Sequence, residues 1–276
     1  MNDAPPDAVQ SSYLGGQLTL WQSRTGYRAA IDPALLAASL DLKSGARAVE
    51  FGCGPGAALL SAAVLNPEVF FLGIEQDAAA ATLADRNRLI NACADRTGVI
   101  CADIMDWKGK FPDPGEAKPD LKQAKTDLSS AKEGSTLPID AIFFNPPFFD
   151  DAATLRAPAE AKTEAWINAT SVSDWIALAL RRLREGGRLT LIQRADRLGD
   201  ILAALSPKAG GVQVLPVHPK ADAPAKRVIV SATKTSKAPL QILPALILHQ
   251  SDGSYTPEVD AILRGEGRTE LVSARR

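Results

Sequence analysis

Short apolar runs alternate along this chain with stretches whose apolar residues recur every three to four positions, the pattern of a parallel sheet flanked by helices. Ala46–Phe51, Phe70–Ile74, Gly98–Cys101, Ile139–Phe144 and Arg188–Gln193 read as strands. Between them, Ala57–Leu65, Ala78–Asn91 and Asp174–Arg184 read as helices. Leu83, Leu89 and Ile90 would form the inward side of the second helix, and Trp175, Ile176, Leu178, Ala179, Leu180 and Leu183 that of the third. Pro67 stops the first helix, and Glu185-Gly186-Gly187 is expected to close the third with a C-cap glycine. After a helix at Asp196–Leu205, Val212–Pro216 and Arg227–Thr233 follow with no helix between them, so they should pair antiparallel.

The N-terminal part reads as an extension over residues 1–45 of a single domain. Leu18–Gln22 alternates like a short strand, and Thr25-Gly26-Tyr27-Arg28 reads as a turn. Asp32-Pro33 then opens a helix with Asp32 at N-cap, Pro33 at N1, and Leu35, Leu36 and Leu40 on its apolar side. Lys108–Pro138 mixes charges, serines and four prolines with few large apolar residues, the composition of a flexible insertion. Asp150–Ala165 reads as loop and short helix, and Pro257–Leu263 as a last short helix.

Composition narrows the chemistry. The first ten residues hold no apolar signal segment, and no run approaches the ~18 apolar residues of a membrane span, so a soluble cytoplasmic protein is expected. Three cysteines without a CxxC pair give no disulfide framework, and only His218 and His249 are present. A metal site or a histidine-based triad is not expected. Net charge is −1, but it is unevenly spread. Residues 1–180 carry 15 Lys/Arg against 23 Asp/Glu, and residues 181–276 carry 16 against 9. Arg181, Arg182, Arg184, Arg188, Arg194, Arg197, Lys226 and Arg227 are candidates for a phosphate-facing surface.

Two motifs carry candidate chemistry. Glu50 ends the first strand, and Gly52-Cys53-Gly54-Pro55-Gly56 leads at once into a helix. Strand, glycine loop and helix in succession let backbone approach a cofactor closely. Gly52, Gly54 and Ala57 suit a dinucleotide, while Gly52, Gly54 and Gly56 suit a methyl donor. Glu75, at the end of the next strand, is placed to reach ribose hydroxyls in either case, and Asp103 to accept from an adenine amino group. The second motif is Asn145-Pro146-Pro147-Phe148, directly after the strand Ile139–Phe144. The Asn145 amide oxygen and the Pro146 carbonyl offer two acceptors to an exocyclic amino group, and Phe148 offers a ring face to a planar base.

Taken together, Val49-Glu50-Phe51-Gly52-Cys53-Gly54-Pro55-Gly56, Glu75, Asp103 and Asn145-Pro146-Pro147-Phe148 resemble the S-adenosylmethionine-dependent class I methyltransferases that act on amino nitrogens. Gly26-Tyr27-Arg28-Ala29-Ala30-Ile31-Asp32-Pro33, Ile192-Gln193-Arg194-Ala195-Asp196-Arg197-Leu198, Pro224-Ala225-Lys226-Arg227-Val228 and Gly253-Ser254-Tyr255-Thr256-Pro257 are similar to the bacterial valine-tRNA adenine-N6 methyltransferase family. The resemblance implies a Rossmann-like α/β fold with a seven-stranded, mostly parallel sheet ending in an antiparallel hairpin. It implies S-adenosyl-L-methionine as cofactor, held by Asp32, Glu50, Gly52, Gly54, Gly56, Glu75, Asp103 and Asn145. It implies tRNA as partner and catalysis by Asn145, Pro146 and Phe148. Another RNA base or a protein glutamine amide as acceptor, a nicotinamide oxidoreductase, and a non-catalytic RNA-binding module are the alternatives.

Overall fold

The structure is a computed structural model that describes residues 7–24, 30–111, 137–146, 171–206 and 208–273. The Thr25–Arg28 turn, Phe148, the Asp150–Ala165 segment and residues 112–136 of the expected insertion lie outside the described residues.

The chain opens with an antiparallel hairpin, β1 (Ala8–Tyr13) and β2 (Leu18–Ser23), followed by α1 (Asp32–Ala38). It then alternates through β3 (Arg47–Phe51), α2 (Ala57–Leu65), β4 (Phe70–Glu75), α3 (Ala78–Ile90), β5 (Thr97–Cys101) and β6 (Ile139–Phe144). After α4 (Val172–Arg182) come β7 (Leu183–Arg194), α5 (Leu198–Leu205), β8 (Ala209–His218) and β9 (Arg227–Lys234). The two-residue strands β10 (Gln241–Ile242) and β11 (Leu246–Ile247) precede α6 (Pro257–Leu263) and α7 (Glu270–Ser273).

The main sheet runs β10-β8-β9-β7-β6-β3-β4-β5, with β11 also on β8. Its seven longer strands are the expected seven, with β9 antiparallel between β7 and β8; β10 and β11 extend them. Consecutive residues of the parallel strands go to opposite layers, as a sheet covered on both faces requires. Phe143 joins Leu35, Leu59, Phe71, Ile192 and Ile229 in one core, and Phe144 joins Phe51, Ile142, Trp175, Ile176 and Leu191 in the other. Phe111, inside the expected insertion, is buried in that second core. No helix among the described residues is long and apolar enough to cross a membrane.

Several sequence expectations are corrected. Leu89 and Ile90 are 48% and 43% exposed; α3 buries Ala81, Ala84, Asp85, Asn87 and Arg88 instead. The reason is polar: Asn87 and Asn91 cover the open edge of β2. The Asn87 amide accepts from Trp21 N–H at 2.8 Å and donates to the Trp21 carbonyl at 3.0 Å, and Asn91 makes both bonds to Thr19 at 2.8 Å. An amide side chain carries a donor and an acceptor and stands in for a neighbouring strand.

No glycine caps α4. Its C-cap is Leu183 in extended conformation, and the chain passes straight into β7, which contains Gly186 and Gly187. At its other end Ser171 and Asp174 form a reciprocal capping box, which starts the helix two residues earlier than expected. Asp32 does not cap α1. Ile31 occupies that position without a side-chain bond, and the Asp32 carboxylate turns to Arg227.

Candidate active site at the carboxyl edge of the sheet

The C-terminal ends of β3, β4, β5 and β6 lie side by side, and ligands of open α/β sheets bind in the crevice outside that edge. Glu50, Glu75 and Asn145 sit there at or just beyond the ends of β3, β4 and β6. Asp103 follows β5 by two residues, beside Glu75, whose carbonyl accepts from Ala102 N–H at 2.9 Å.

The glycine loop is fixed to the sheet by its own backbone. Gly52 N–H and Cys53 N–H both donate to the Ile74 carbonyl, at 2.8 and 3.1 Å. Gly52 has φ +63°, and a Cβ there would lie 2.8 Å from the Trp175 ring, so glycine is required twice over. Gly54, at φ +53°, faces open space with no heavy atom within 4 Å of a built Cβ. Gly56, at φ +88°, begins α2. The loop therefore presents bare backbone toward the edge where Glu75 stands.

Glu75 is buried and accepts from Gly54 N–H at 2.8 Å and from Asp77 N–H at 2.9 Å, which locks its carboxylate against the loop. Glu50 is 3% exposed and its Oε2 has no hydrogen-bond partner among the described residues. Burial pushes its carboxyl well above the ordinary value, the neighbouring Glu75 carboxylate pushes the same way, and only the Leu59 backbone N–H opposes them. Burial, then Glu50 and Glu75, also push the Cys53 thiol up, so this cysteine is a packed neutral group rather than a nucleophile. Asp103 is exposed, and its Oδ1 accepts from Met105 N–H at 2.8 Å.

Pro146 is buried, and the Asn145 amide oxygen is buried without a hydrogen-bond partner among the described residues. An orphaned acceptor is costly unless a ligand completes it. It lies at the end of β6, next to the strand that carries the glycine loop. Asp32 and Arg227 stand farther along the same edge, because β9 begins beside the end of β7: Arg227 pairs with Arg194.

Two positioning residues escaped the sequence reading. Besides bonding β2, Asn87 donates to the Pro55 carbonyl at 2.9 Å and so pins the glycine loop. The four-residue spacing of Asn87 and Asn91 was the available signal. Gly73, inside β4, leaves room for Cys53, whose Sγ would lie 2.6 Å from a Cβ built there; a glycine within a strand pattern marks such an approach.

The expected basic surface is divided. Arg181, Arg182, Arg184 and Arg188 belong to the opposite edge, where Arg184 bonds Asp140 at 2.6 Å and Arg182 donates to the Trp107 carbonyl at 2.6 Å. Arg194, Arg197, Lys226 and Arg227 remain at the site edge, with the three arginines paired to Asp196, Asp200 and Asp32. No cluster of three or more metal-ligating side chains occurs among the described residues.

This geometry can be set beside known proteins. Over 86% of the chain it matches a crystal structure described as a predicted O-methyltransferase from Agrobacterium tumefaciens, with a TM-score of 0.63, 24% identity and 98% of that chain covered. An S-adenosylmethionine-dependent O-methyltransferase from Thermotoga maritima matches with a TM-score of 0.50 and 17% identity, over 78% of this chain and 68% of that one. The fold is that of the class I methyltransferases. The chain matches no protein-family model. Among curated sequences, a tRNA1(Val) (adenine(37)-N6)-methyltransferase of Dickeya chrysanthemi is 26% identical over 258 residues, which is 90% of each chain. A protein of the same name from Bacteroides fragilis is 26% identical over 224 residues, 79% of this chain and 81% of that one.

Proposed function

We propose that this protein is an S-adenosylmethionine-dependent N-methyltransferase that modifies the N6 amino group of an adenine in tRNA, beside the anticodon of valine tRNA, and works in the cytoplasm. The observation that carries the reading is the buried amide oxygen of Asn145, without a partner among the described residues, next to a glycine loop with open space at Gly54. Such an acceptor has a use when a donor with no acceptor need of its own, an aromatic amine, is placed against it. The names of the Dickeya and Bacteroides relatives support the RNA adenine as acceptor.

The donor fits the residues present. Gly52, Gly54 and Gly56 offer close backbone, Glu75 and Asp103 offer carboxylates at adjacent strand ends, and Glu50 has an unused oxygen. Asp32 would border the donor from α1. When bound, S-adenosylmethionine supplies an electrophilic sulfonium methyl. The chain's own task is then positioning rather than proton abstraction or covalent catalysis. Asn145 Oδ1 and the Pro146 carbonyl accept the two amino hydrogens, which leaves the nitrogen lone pair free to face the methyl. Their acceptors bind more strongly as the nitrogen gains positive charge, so they favour the transition state over the ground state. Phe148 would stack on the base. An anticodon-loop adenine is unpaired, so presenting it costs less than extruding a base from a duplex.

The test is to incubate the purified protein with unmodified tRNA and isotopically labelled methyl donor, then digest and separate the nucleosides. Labelled N6-methyladenosine is expected. Label confined to another nucleoside, or to a glutamine amide of added protein, would contradict the assigned acceptor.

A further inference from the structure

The edge that carries Asn145 continues to an aromatic pair with no part in the chemistry above. β11 runs parallel to the end of β8, Leu246 opposite Val217 and Ile247 opposite His218. The chain goes on along β8, with Leu248 N–H donating to the His218 carbonyl at 2.8 Å and His249 N–H to the Pro219 carbonyl at 3.0 Å. It then turns back sharply. Gln250 N–H donates to the Ser254 carbonyl at 2.9 Å, Gly253 takes φ +90°, and His249 and Tyr255 face each other across an antiparallel bridge.

Their rings stack with centroids 4.9 Å apart and planes 21° from parallel. The imidazole is oriented by an Nδ1 bond to the Gly253 carbonyl at 3.1 Å. Asp252 accepts from both the N–H and hydroxyl of Ser254, and Thr256 ties the return strand to Leu248 and Ile247. All these bonds hold a ring that belongs to neither core. Tyr255 is 38% exposed, among the few large apolar side chains shown to solvent.

Its placement decides what it suits. β8 points the same way as β7 and β6, because β9 is antiparallel to both β7 and β8. Ala195 N–H to the Lys226 carbonyl, Lys226 N–H to the Val217 carbonyl, and Leu248 N–H to the His218 carbonyl join these strand ends along one edge. From β6 to β11 is four strand steps of about 4.8 Å, or about 19 Å. At about 3.4 Å per stacked nucleotide, that is the reach of a short single-stranded segment. Lys226 is exposed on this stretch, without a salt bridge among the described residues, and suits a phosphate; Lys220 is also there, its charge acting, behind the Ser254 hydrogen bonds, on the Asp252 carboxylate, and Asp222 lies nearby in the chain. An exposed, backed aromatic face beside lysines is how proteins hold single-stranded bases.

We propose that Tyr255, backed by His249, is a stacking platform for an unpaired nucleobase of the RNA, several nucleotides from the base held at Asn145. This rests on the tRNA-methylation reading. The experiment measures binding of a valine-tRNA anticodon stem-loop to wild type, Tyr255→Leu and Tyr255→Phe, with methylation of the same RNA and binding of S-adenosylhomocysteine alongside. Tyr255→Leu should weaken RNA binding by about ten-fold or more, Tyr255→Phe should restore it, and S-adenosylhomocysteine affinity should not move. In wild type, 2-aminopurine at one loop position other than the target should be quenched on binding, and Tyr255→Leu should relieve the quenching. Equal RNA binding by wild type and Tyr255→Leu, with methylation intact, overturns the platform and leaves the methylation reading standing. A wild type that neither binds nor methylates RNA overturns both.

Discussion

The Nε of Arg227 lies 2.7 Å from each oxygen of the Asp32 carboxylate and donates to Oδ2, a contact between residues 195 positions apart. It fastens the first turn of α1 to the start of β9 at the edge of the candidate site. Burial raises the Asp32 carboxyl above its ordinary value, and the Arg227 bond and charge oppose that rise without cancelling it. The Asp32 side chain is 6% exposed and that of Arg227 32%, so the acid depends on the pair more than the base does. Arg227→Met should therefore destabilise the fold by about 1–3 kcal/mol, and adding Asp32→Asn should recover part of the loss. Urea unfolding of the two single variants and the double variant checks this; additive losses would show that the pair is not coupled.

Asn87 touches no proposed ligand, yet it should matter to the cofactor. Asn87→Ala strands both backbone groups of Trp21 and the Pro55 carbonyl, at about 1–3 kcal/mol for each group left buried and unpaired. Because Pro55 belongs to the glycine loop, affinity for S-adenosylhomocysteine should fall with stability. Calorimetry on the folded variant gives the answer; unchanged affinity would mean that the loop holds its shape without this clamp.

Glu50 gives a pH signature. Its folded carboxyl binds a proton more tightly than the unfolded one, whose ordinary value is 4.5. As pH rises past that value the unfolded chain loses its proton first, so this group's contribution to stability is full below it and declines above it. Glu50→Gln should raise the melting temperature at neutral pH and leave it nearly unchanged below pH ~4. Melting curves across that range test the sign, and a variant less stable than wild type at neutral pH would contradict it.

How much of this was legible in the sequence depended on what each feature answers to. Ala57–Leu65 and Pro257–Leu263 were readable to the residue, since Gly56, Pro67, Thr256 and Pro257 punctuate them locally. The antiparallel β8–β9 pair followed from the missing helix between two apolar runs. Leu89 and Ile90 misled because hydrophobic periodicity cannot see that Asn87 and Asn91 serve as a strand edge for β2. Asp32-Pro33 has the local form of a cap, but a cation from β9 claims the carboxylate. The two-residue β10 and β11 exist through pairing with β8, remote in the chain, which no local pattern announces, whereas β1 forms against its hairpin neighbour β2. In the candidate site, the closeness of Glu50, the glycine loop, Glu75 and Asn145 followed from consecutive strand ends. The Gly52–Trp175 contact and the Asn87–Pro55 bond did not, being made across layers.

The central claim is that the Asn145 amide oxygen receives the target amine, and single-turnover methylation of unmodified tRNA by Asn145→Ala tests it most directly. The interaction strengthens as the nitrogen becomes tetrahedral and positively charged, so its loss belongs in the chemical step rather than in binding. The rate should fall by roughly 10²–10³-fold. Affinity for S-adenosylhomocysteine should stay close to the wild-type value, because the proposed donor site is formed mainly by Glu75 and the glycine loop. A rate near that of wild type would remove Asn145 from the mechanism and contradict the account.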